Sequence, residues 1–529
     1  MGRPARTGAD DPECAQHIHF DAHRAAVDRV APRARPVGAT GPALVISQHL
    51  EAAALIALHV AVVAGVGLRV VLARHAPGSA VAWILLTAVL PVAGVAAYAL
   101  IGERPIGRRR ADYARGFFAR LPAAVDGLTG HERAEPESLP APWDGLARLA
   151  CRSTGMPLMA RSKFRLIDGA EQILREIIAD VDAATSSVEM EFYIWNPGGT
   201  ADEVAAALAR AVARGVEVRV LLDALGSKEF FRSDWPARMR ADGIRLESAL
   251  DVKPWRIPFR RIDLRLHRKI VVIDDRVAYT GSMNMVDPRY FKQGAGVGEW
   301  VDAMTRAEGP IVGALRSVFV FDWGMQTGES PEMRAERHRE AWQVEGGNQV
   351  AQVVMSGPGT DETANLRLII HAIASARRSI VLTTPYFVAD ASLALALENA
   401  ALRGCEVTLV VPDRNDSWLV EYASRWFFED LVASGVRIRR YTGGLLHTKS
   451  ITVDGEVSLF GTANLDIRSL SLNFELMLAI YDASFTAGLL DLQRGYLARS
   501  EAVVPEQWRK RPLAERLKEG FAYLAAPLL

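Results

Sequence analysis

The sequence predicts an α/β protein: two tandem copies of one α/β domain packed around a pseudo-twofold active site, preceded by an N-terminal two-helix transmembrane hairpin. Three observations predict it. A strand, helix, strand order occurs twice, each copy ends in the same His-x-Lys-x4-Asp pattern, and two long apolar runs precede both copies. At 529 residues the chain exceeds the span of a single core, since one domain takes roughly 100–200 residues. Lys and Arg together number 62 and Asp and Glu also 62, so no global basic field points to nucleic acid as a partner. Cys14, Cys151 and Cys405 lack metal-ligand spacing and read as reduced thiols. No metal and no cofactor is expected.

Taken in order, residues 1–41 mix Ala, Pro, Arg, Asp and His without periodicity and read as a poorly ordered tail. His17, His19 and His23 lack acidic or Cys partners at ligand spacing, so the tail is expected to be solvated rather than a metal tract. Within 42–110 the runs 52–73 and 81–101 are each long enough to cross a bilayer core of about 30 Å. The short turn-like link at 74–80 makes them a hairpin. Arg104, Arg108, Arg109, Arg110, Arg115 and Arg120 follow the second run, against Arg74 alone in the link. The positive-inside bias then places a multi-pass protein in the inner, cytoplasmic membrane with its catalytic domains facing the cytoplasm. Residues 111–160 read as a juxtamembrane connector.

The first repeated domain is expected over 161–330. Residues 188–195 read as a strand, 202–214 as a helix with Gly215 as its stop, and 216–222 as a strand. After a polar linker at 331–350, the second domain at 351–505 repeats the order: strand 379–386, helix 392–403 stopped at Gly404, strand 407–411. The register of the repeat continues through 242–246 and 434–438. Lys253, Trp255, Arg256, Phe259, Arg260 and Arg261 form an aromatic-basic stretch suited to a lipid headgroup zone. Residues 506–529 form a C-terminal amphipathic segment that either lies on an anionic membrane or docks onto the body.

The chemistry sits in the repeated pattern. His267, Lys269, Asp274, Gly281 and Asn284 have the same spacing as His447, Lys449, Asp454, Gly461 and Asn464. In a strand alternate residues share a face, so each His lies beside a Lys. Asp274 and Asp454 fall at hairpin turns, where an Asp is common for backbone reasons; both are also candidates for a direct role. The return strands bring Ser282 and Asn284, or Thr462 and Asn464, back to the His and Lys. Two His, two Lys, two Asn and two hydroxyls around one centre suit phosphoryl transfer: cations and amides hold the developing charge, one neutral His attacks phosphorus, and the other protonates the leaving alkoxide. Glu475 is placed to hold His447 in its working tautomer, and Asp302 to do so for His267.

These residues resemble the signature of the phospholipase D superfamily, a His-x-Lys-x4-Asp motif followed by Gly-Ser/Gly-x-x-Asn. Within it the arrangement is similar to bacterial cardiolipin synthases over about residues 50–529: Trp300-Val-Asp302, Asn464-Leu-Asp466-Ile-Arg468-Ser469, Asn473-Phe-Glu475 and Trp508-Arg-Lys-Arg-Pro512 accompany the motifs. Thr462 stands where Ser is more usual, and Gly281-Ser282 where two glycines are common. The resemblance implies two tandem phospholipase D-like domains and a two-step phosphatidyl transfer. One His takes the phosphatidyl group of a phosphatidylglycerol, releasing glycerol, and a second phosphatidylglycerol accepts it to give cardiolipin. By analogy His267 is the nucleophile and His447 the acid and then base, although the symmetry of the motifs admits the reverse. The implied partners are phosphatidylglycerol, other anionic phospholipids and the membrane. A membrane-anchored phospholipase D that lets water attack, or a phosphatidyltransferase with a different acceptor, would carry the same motifs. The sequence leaves open the acyl-chain preference, the second lipid (phosphatidylglycerol or phosphatidylethanolamine) and the oligomeric state.

Overall fold

The structure is a computed structural model that describes residues 42–73, 75, 77–102, 108–129, 133–251, 263–329 and 344–525. The N-terminal tail with its three histidines, the aromatic-basic stretch at 253–261 and residues 331–343 of the expected linker lie outside the described residues. The chain divides into two compact units, Met1–Pro91 and Val92–Leu529.

In the first unit, helix Pro42–Leu72 contains the apolar span Ile46–Leu72, 27 residues long, whose most apolar 18-residue stretch has a mean hydropathy of 2.3 and is only 6% buried. At 1.5 Å per residue it is about 40 Å long, enough to cross a bilayer. Helix Pro77–Val89 folds back onto it, with Ile84 lying over Gly67. The expected second span, 81–101, is not one helix. It stops at Val89, restarts at Pro91–Ala97 and ends in a π-turn at Tyr98–Gly102. Pro91 has no N–H to donate and its ring crowds the carbonyl four residues back, so the helix breaks there. Among the described residues, therefore, one helix has the length and apolarity of a span; the expected hairpin is a long helix followed by a broken apolar segment.

The second unit is built on one mixed sheet. The first half contributes β1 (Leu158–Asp168), β2 (Ser187–Phe192), β3 (Glu217–Asp223), β4 (Arg245–Ala249), β5 (Ile270–Ile273), β6 (Val277–Gly281) and β7 (Ala303–Glu308). The second half contributes β8 (Gln349–Ser356), β9 (Ser379–Thr383), β10 (Glu406–Pro412), β11 (Arg437–Tyr441), β12 (Ser450–Val453), β13 (Val457–Gly461), β14 (Glu475–Ile480) and β15 (Ser500–Ala502). Their order is β15-β11-β10-β9-β12-β13-β14-β8-β1-β7-β6-β5-β2-β3-β4. Apart from β15 the order reads the same from either end, and the two halves meet where β8 pairs antiparallel with β1, Gln352 opposite Leu158. The predicted β-α-β units are β2–Thr200–Ala213–β3 and β9–Ala391–Leu402–β10, each with its two strands parallel.

The halves also share a core. Helix Ile311–Thr327 is apolar nearly all round and buried along its length, as such a helix must be. Its Phe319 and Trp323 cluster with Ile270 and Val272 of the first half and with Leu476 and Leu478 of the second. Residues 111–160, expected as a connector, supply packed helices. Helix Arg108–Thr129 docks on Ile311–Thr327 through Phe117 against Phe321 and through Arg110, whose guanidinium donates to Gln326 Oε1 at 2.6 Å. Helix Trp143–Thr154 places Trp143 and Leu146 in the core of the second half.

Candidate active site

Each motif His lies just before the strand that follows it, and each is fixed by the other half. Leu266 bridges in parallel to Phe474, and the His267 N–H donates to the Phe474 carbonyl at 2.9 Å. In the mirror position Leu445–Leu446 pair in parallel with Trp300–Val301, and the His447 N–H donates to the Val301 carbonyl at 2.8 Å. The next residue along each partner strand is a carboxylate. Glu475 Oε1 therefore lies 2.8 Å from His267 Nδ1, and Asp302 Oδ1 lies 2.6 Å from His447 Nδ1. The pairing expected from the sequence, Glu475 with His447 and Asp302 with His267, is exchanged. The cause is this interlocking of the halves: each motif His is laid beside a strand of the opposite half, not beside its own.

The glycines of the pattern make room for that contact. A Cβ on Gly281 would lie 2.5 Å from the Ala303 carbonyl oxygen, and one on Gly461 would strike the Leu476 carbonyl oxygen. With none there, Ser282 and Thr462 sit against the carboxylate-bearing strands. Ser282 Oγ donates to Asp302 Oδ1 and Thr462 Oγ1 to Glu475 Oε2, both at 2.6 Å. The two hydroxyls thus orient the two carboxylates rather than facing the cavity.

His267, His447, Asn284 and Asn464 line one cavity of about 370 Å³. Both Nδ1 atoms are committed to carboxylates, which leaves the two Nε2 atoms as the reactive ones. Lys269 and Lys449 are fully buried, each donating from Nζ to the carbonyl of its own motif His, at 2.7 and 2.5 Å. The symmetry ends at the walls. Tyr193 sits edge-on to His267 with ring centroids 4.9 Å apart, whereas Trp300 tilts over His447 at 4.3 Å. Arg265, Lys292 and Arg468 bring positive charge to the wall, facing Asp466, whose carboxyl burial pushes up to about 6.

Burial is the largest influence on both imidazoles and drives each toward its neutral form. His267 is held well below the usual histidine range, burial acting together with the Lys269 and Lys449 cations. His447 is pushed down to about 4 because burial outweighs the opposing pull of Asp302. The carboxylates differ. Burial pushes Glu475 up to about 8, only partly offset by Lys269 and Thr462. Burial pushes Asp302 up as well, but the His447 charge and hydrogen bond, with Lys449, more than reverse it and hold it below the usual carboxylate range. Burial lowers Lys269 to about 8 and holds Lys449 well below the usual lysine range. The site thus presents two neutral imidazoles, one backed by a firm anion and one by a carboxyl that resists ionising.

Asp274 and Asp454, grouped above with the catalytic candidates, lie at the far turns of their hairpins. Seven residues of extended chain, about 23 Å, separate each from its motif His. Asp274 accepts from the backbone N–H groups of Thr185, Ser186 and Ser187 at 2.7, 2.7 and 2.9 Å. Asp454 accepts from those of Arg377, Arg378 and Ser379 at 2.8, 2.7 and 2.8 Å. Each therefore ties a hairpin to the start of the neighbouring strand, β2 or β9, and takes no place in the cavity. Sequence reasoning did not single out Tyr193, Tyr386, Arg265 or Lys292 as wall residues. The signal available for the two tyrosines was position, since both fall just beyond the carboxyl ends of the equivalent strands β2 and β9, where α/β sheets bind ligands.

The cardiolipin synthase, phospholipase D-like domain family matches this chain twice, at residues 177–294 and 369–492, one match per half. Cardiolipin synthase A of Edwardsiella ictaluri is 44% identical over 88% of this chain and 96% of its own. That of Escherichia coli O1:K1 is 43% identical over the same shares. The chain belongs to the cardiolipin synthase family. A crystal structure of phosphatidylserine synthase from Haemophilus influenzae Rd KW20 superposes with a TM-score of 0.52 over 73% of this chain and 100% of that one at 17% identity, a likeness of fold. The doubled family match in this cardiolipin synthase-family chain coincides with the two mirror-related halves of the sheet.

Proposed function

We propose that the cavity between the two halves carries out phosphatidyl transfer in two displacements, with His267 as nucleophile and His447 as general acid and then base. The overall activity, as a member of the family, is that of a cardiolipin synthase, a phosphatidyltransferase of the phospholipase D type. In the first step His267 Nε2 attacks the phosphorus of one phosphatidylglycerol, the P–O bond to glycerol breaks, and His447 gives its proton to the departing oxygen. In the second, a hydroxyl of another phosphatidylglycerol attacks phosphorus, its proton passes to His447, the P–N bond breaks, and cardiolipin leaves. The observation that carries this reading is the pair of imidazoles on one cavity, each with Nδ1 held by a buried carboxylate. The asymmetry of those carboxylates favours the role assignment. Asp302, held as an anion, supports a positive charge on His447 once an anionic phosphodiester enters, while Glu475 gives His267 less reason to leave the neutral form. Asn284, Asn464, Lys269 and Lys449 stabilise charge on the nonbridging oxygens. Among the described residues no group of His, Cys, Asp and Glu could hold a metal ion, and the scheme calls on none.

The substrates are anionic phospholipids in a membrane rather than nucleic acid, in keeping with the zero net charge and the apolar helix Ile46–Leu72. A multi-pass anchor in the inner membrane with the catalytic unit on the cytoplasmic side follows if the broken segment 77–102 also enters the bilayer. The test is purified enzyme with labelled phosphatidylglycerol in detergent. Cardiolipin with equimolar glycerol is expected; phosphatidic acid alone would make it a hydrolase. His267→Asn should form no lipid-labelled enzyme on a denaturing gel, and a labelled band would reverse the two roles.

A further inference from the structure

The C-terminal helix Leu513–Leu524 is amphipathic the wrong way round for a helix docked on a protein body. Its buried residues are Glu519 and Ala522, whereas Leu513, Leu517, Phe521 and Leu524 are 70%, 54%, 70% and 76% exposed. Those four apolar positions fall within roughly 80° of the helix circumference at 3.6 residues per turn. The opposite side is the docked one: Ala522 lies in the core of the second half with Tyr523 packed against it, and Glu519 pairs with Arg511, which also reaches Glu429 at 3.6 Å and stacks 4.3 Å over Trp508. This stripe adjoins the catalytic cavity through a single helix. Trp418–Trp426 packs along Leu513–Leu524, with Trp426 stacked on Tyr523 at 5.1 Å, and its Val420 lines the cavity while Trp418 is 59% exposed. Residues 505–524 carry five bases against three acids, and Arg509, Lys510, Arg516 and Lys518 are exposed.

From this geometry we infer that Leu513–Leu524 is an interfacial helix whose apolar stripe enters an anionic phospholipid monolayer, seating the mouth of the catalytic cavity on the membrane independently of the N-terminal span. An exposed apolar stripe with tryptophan, tyrosine and bases beside it has the composition of the headgroup zone. A lipid surface fits better than a second protein, because the cavity next to it must receive substrates whose acyl chains stay in the bilayer; in this the inference rests on the phospholipid reading of the site. The helix thereby becomes part of how substrate reaches the histidines.

The test uses full-length enzyme with Cys14, Cys151 and Cys405 replaced by Ala, an environment-sensitive fluorophore at Phe521→Cys or, as control, at the exposed surface position Asp491→Cys, and vesicles of phosphatidylglycerol and phosphatidylcholine containing doxyl-labelled lipid. Quenching at 521 but not at 491 is expected, weaker without phosphatidylglycerol. Absence of quenching at 521, or burial of the probe between cross-linked copies of the chain, would overturn the inference. In parallel, Leu517→Ser/Phe521→Ser should lower turnover of phosphatidylglycerol in vesicles at least tenfold and leave turnover of monomeric short-chain phosphatidylglycerol unchanged, with Phe521→Leu restoring most of the loss. Equal effects on both substrates would also overturn it. If the short-chain substrate gave only phosphatidic acid, the synthase reading would fail while the quenching result stood.

Discussion

At the scale of single residues, the deciding feature is that each motif His takes its carboxylate from the opposite half. Asp302→Asn should cut cardiolipin synthesis about 10²–10⁴-fold, the range for a group that sets the tautomer and charge of a catalytic imidazole. By NMR it should shift the titration of His447 and leave that of His267 in place; the converse result would restore the uncrossed pairing. Glu475 supplies a pH dependence. Burial raises its carboxyl from 4.5 to about 8, so the unfolded chain gives up this proton at lower pH than the folded one. Its contribution is complete below about pH 4.5 and is lost as pH rises through about 8. Denaturant melts between about pH 6 and 9 should show stability falling more steeply with pH in the wild type than in Glu475→Gln, which cannot ionise. Parallel slopes would mean that Glu475 ionises normally in the fold.

At the scale of elements, the two hairpins β5–β6 and β12–β13 act as rigid arms, fastened at the far turn and pressed flat at the near end. Asp274 and Asp275, and Asp454 and Gly455, all take positive φ (52°, 56°, 55° and 73°), the conformation of a tight hairpin turn. The Asp carboxylates there accept from three successive backbone N–H groups. Asp274→Ala should therefore cost about 1–3 kcal/mol of stability, from the loss of three hydrogen bonds to one charged acceptor, measured as a lower denaturation midpoint. The protein that remains folded should keep most of its turnover. Loss of turnover without loss of stability would return Asp274 to the catalytic set. Gly281→Ala acts at the other end, where its methyl would meet the Ala303 carbonyl oxygen and push Ser282 off Asp302. It should cost about 1–3 kcal/mol by overpacking and, unlike the turn variant, should also depress the rate.

At the scale of the whole molecule, Val92–Leu529 is one compact unit made from a duplicated sequence. The β8–β1 seam continues the sheet, helix Ile311–Thr327 packs against both halves, and the crossed carboxylates join them again at the cavity. Val218→Ala in the first half and Val407→Ala in the second, both fully buried in different core clusters, should lower the same calorimetric transition in detergent. A split into two transitions, each moved by one variant, would mean that the halves fold separately.

Much of this was legible in the sequence because it depends on local patterning. The two His-Lys-Asp motifs, the β-α-β order around Thr200–Ala213 and Ala391–Leu402, the hairpin turns and the long apolar helix all follow from spacing and periodicity over a few residues. Pro91, visible in the sequence, needed only its missing N–H to break the second apolar run. The seam strands Leu158–Asp168 and Gln349–Ser356 went unread, since their pairing joins segments nearly 200 residues apart. The arrangement of Glu475 on His267 and Asp302 on His447 lay beyond the sequence for the same reason. Near-symmetric copies offer each His two equivalent carboxylates, and only the parallel contacts Leu266–Phe474 and Leu446–Val301 choose between them. The chain by itself determined which groups the site contains; the packing of the two halves decided which group acts on which.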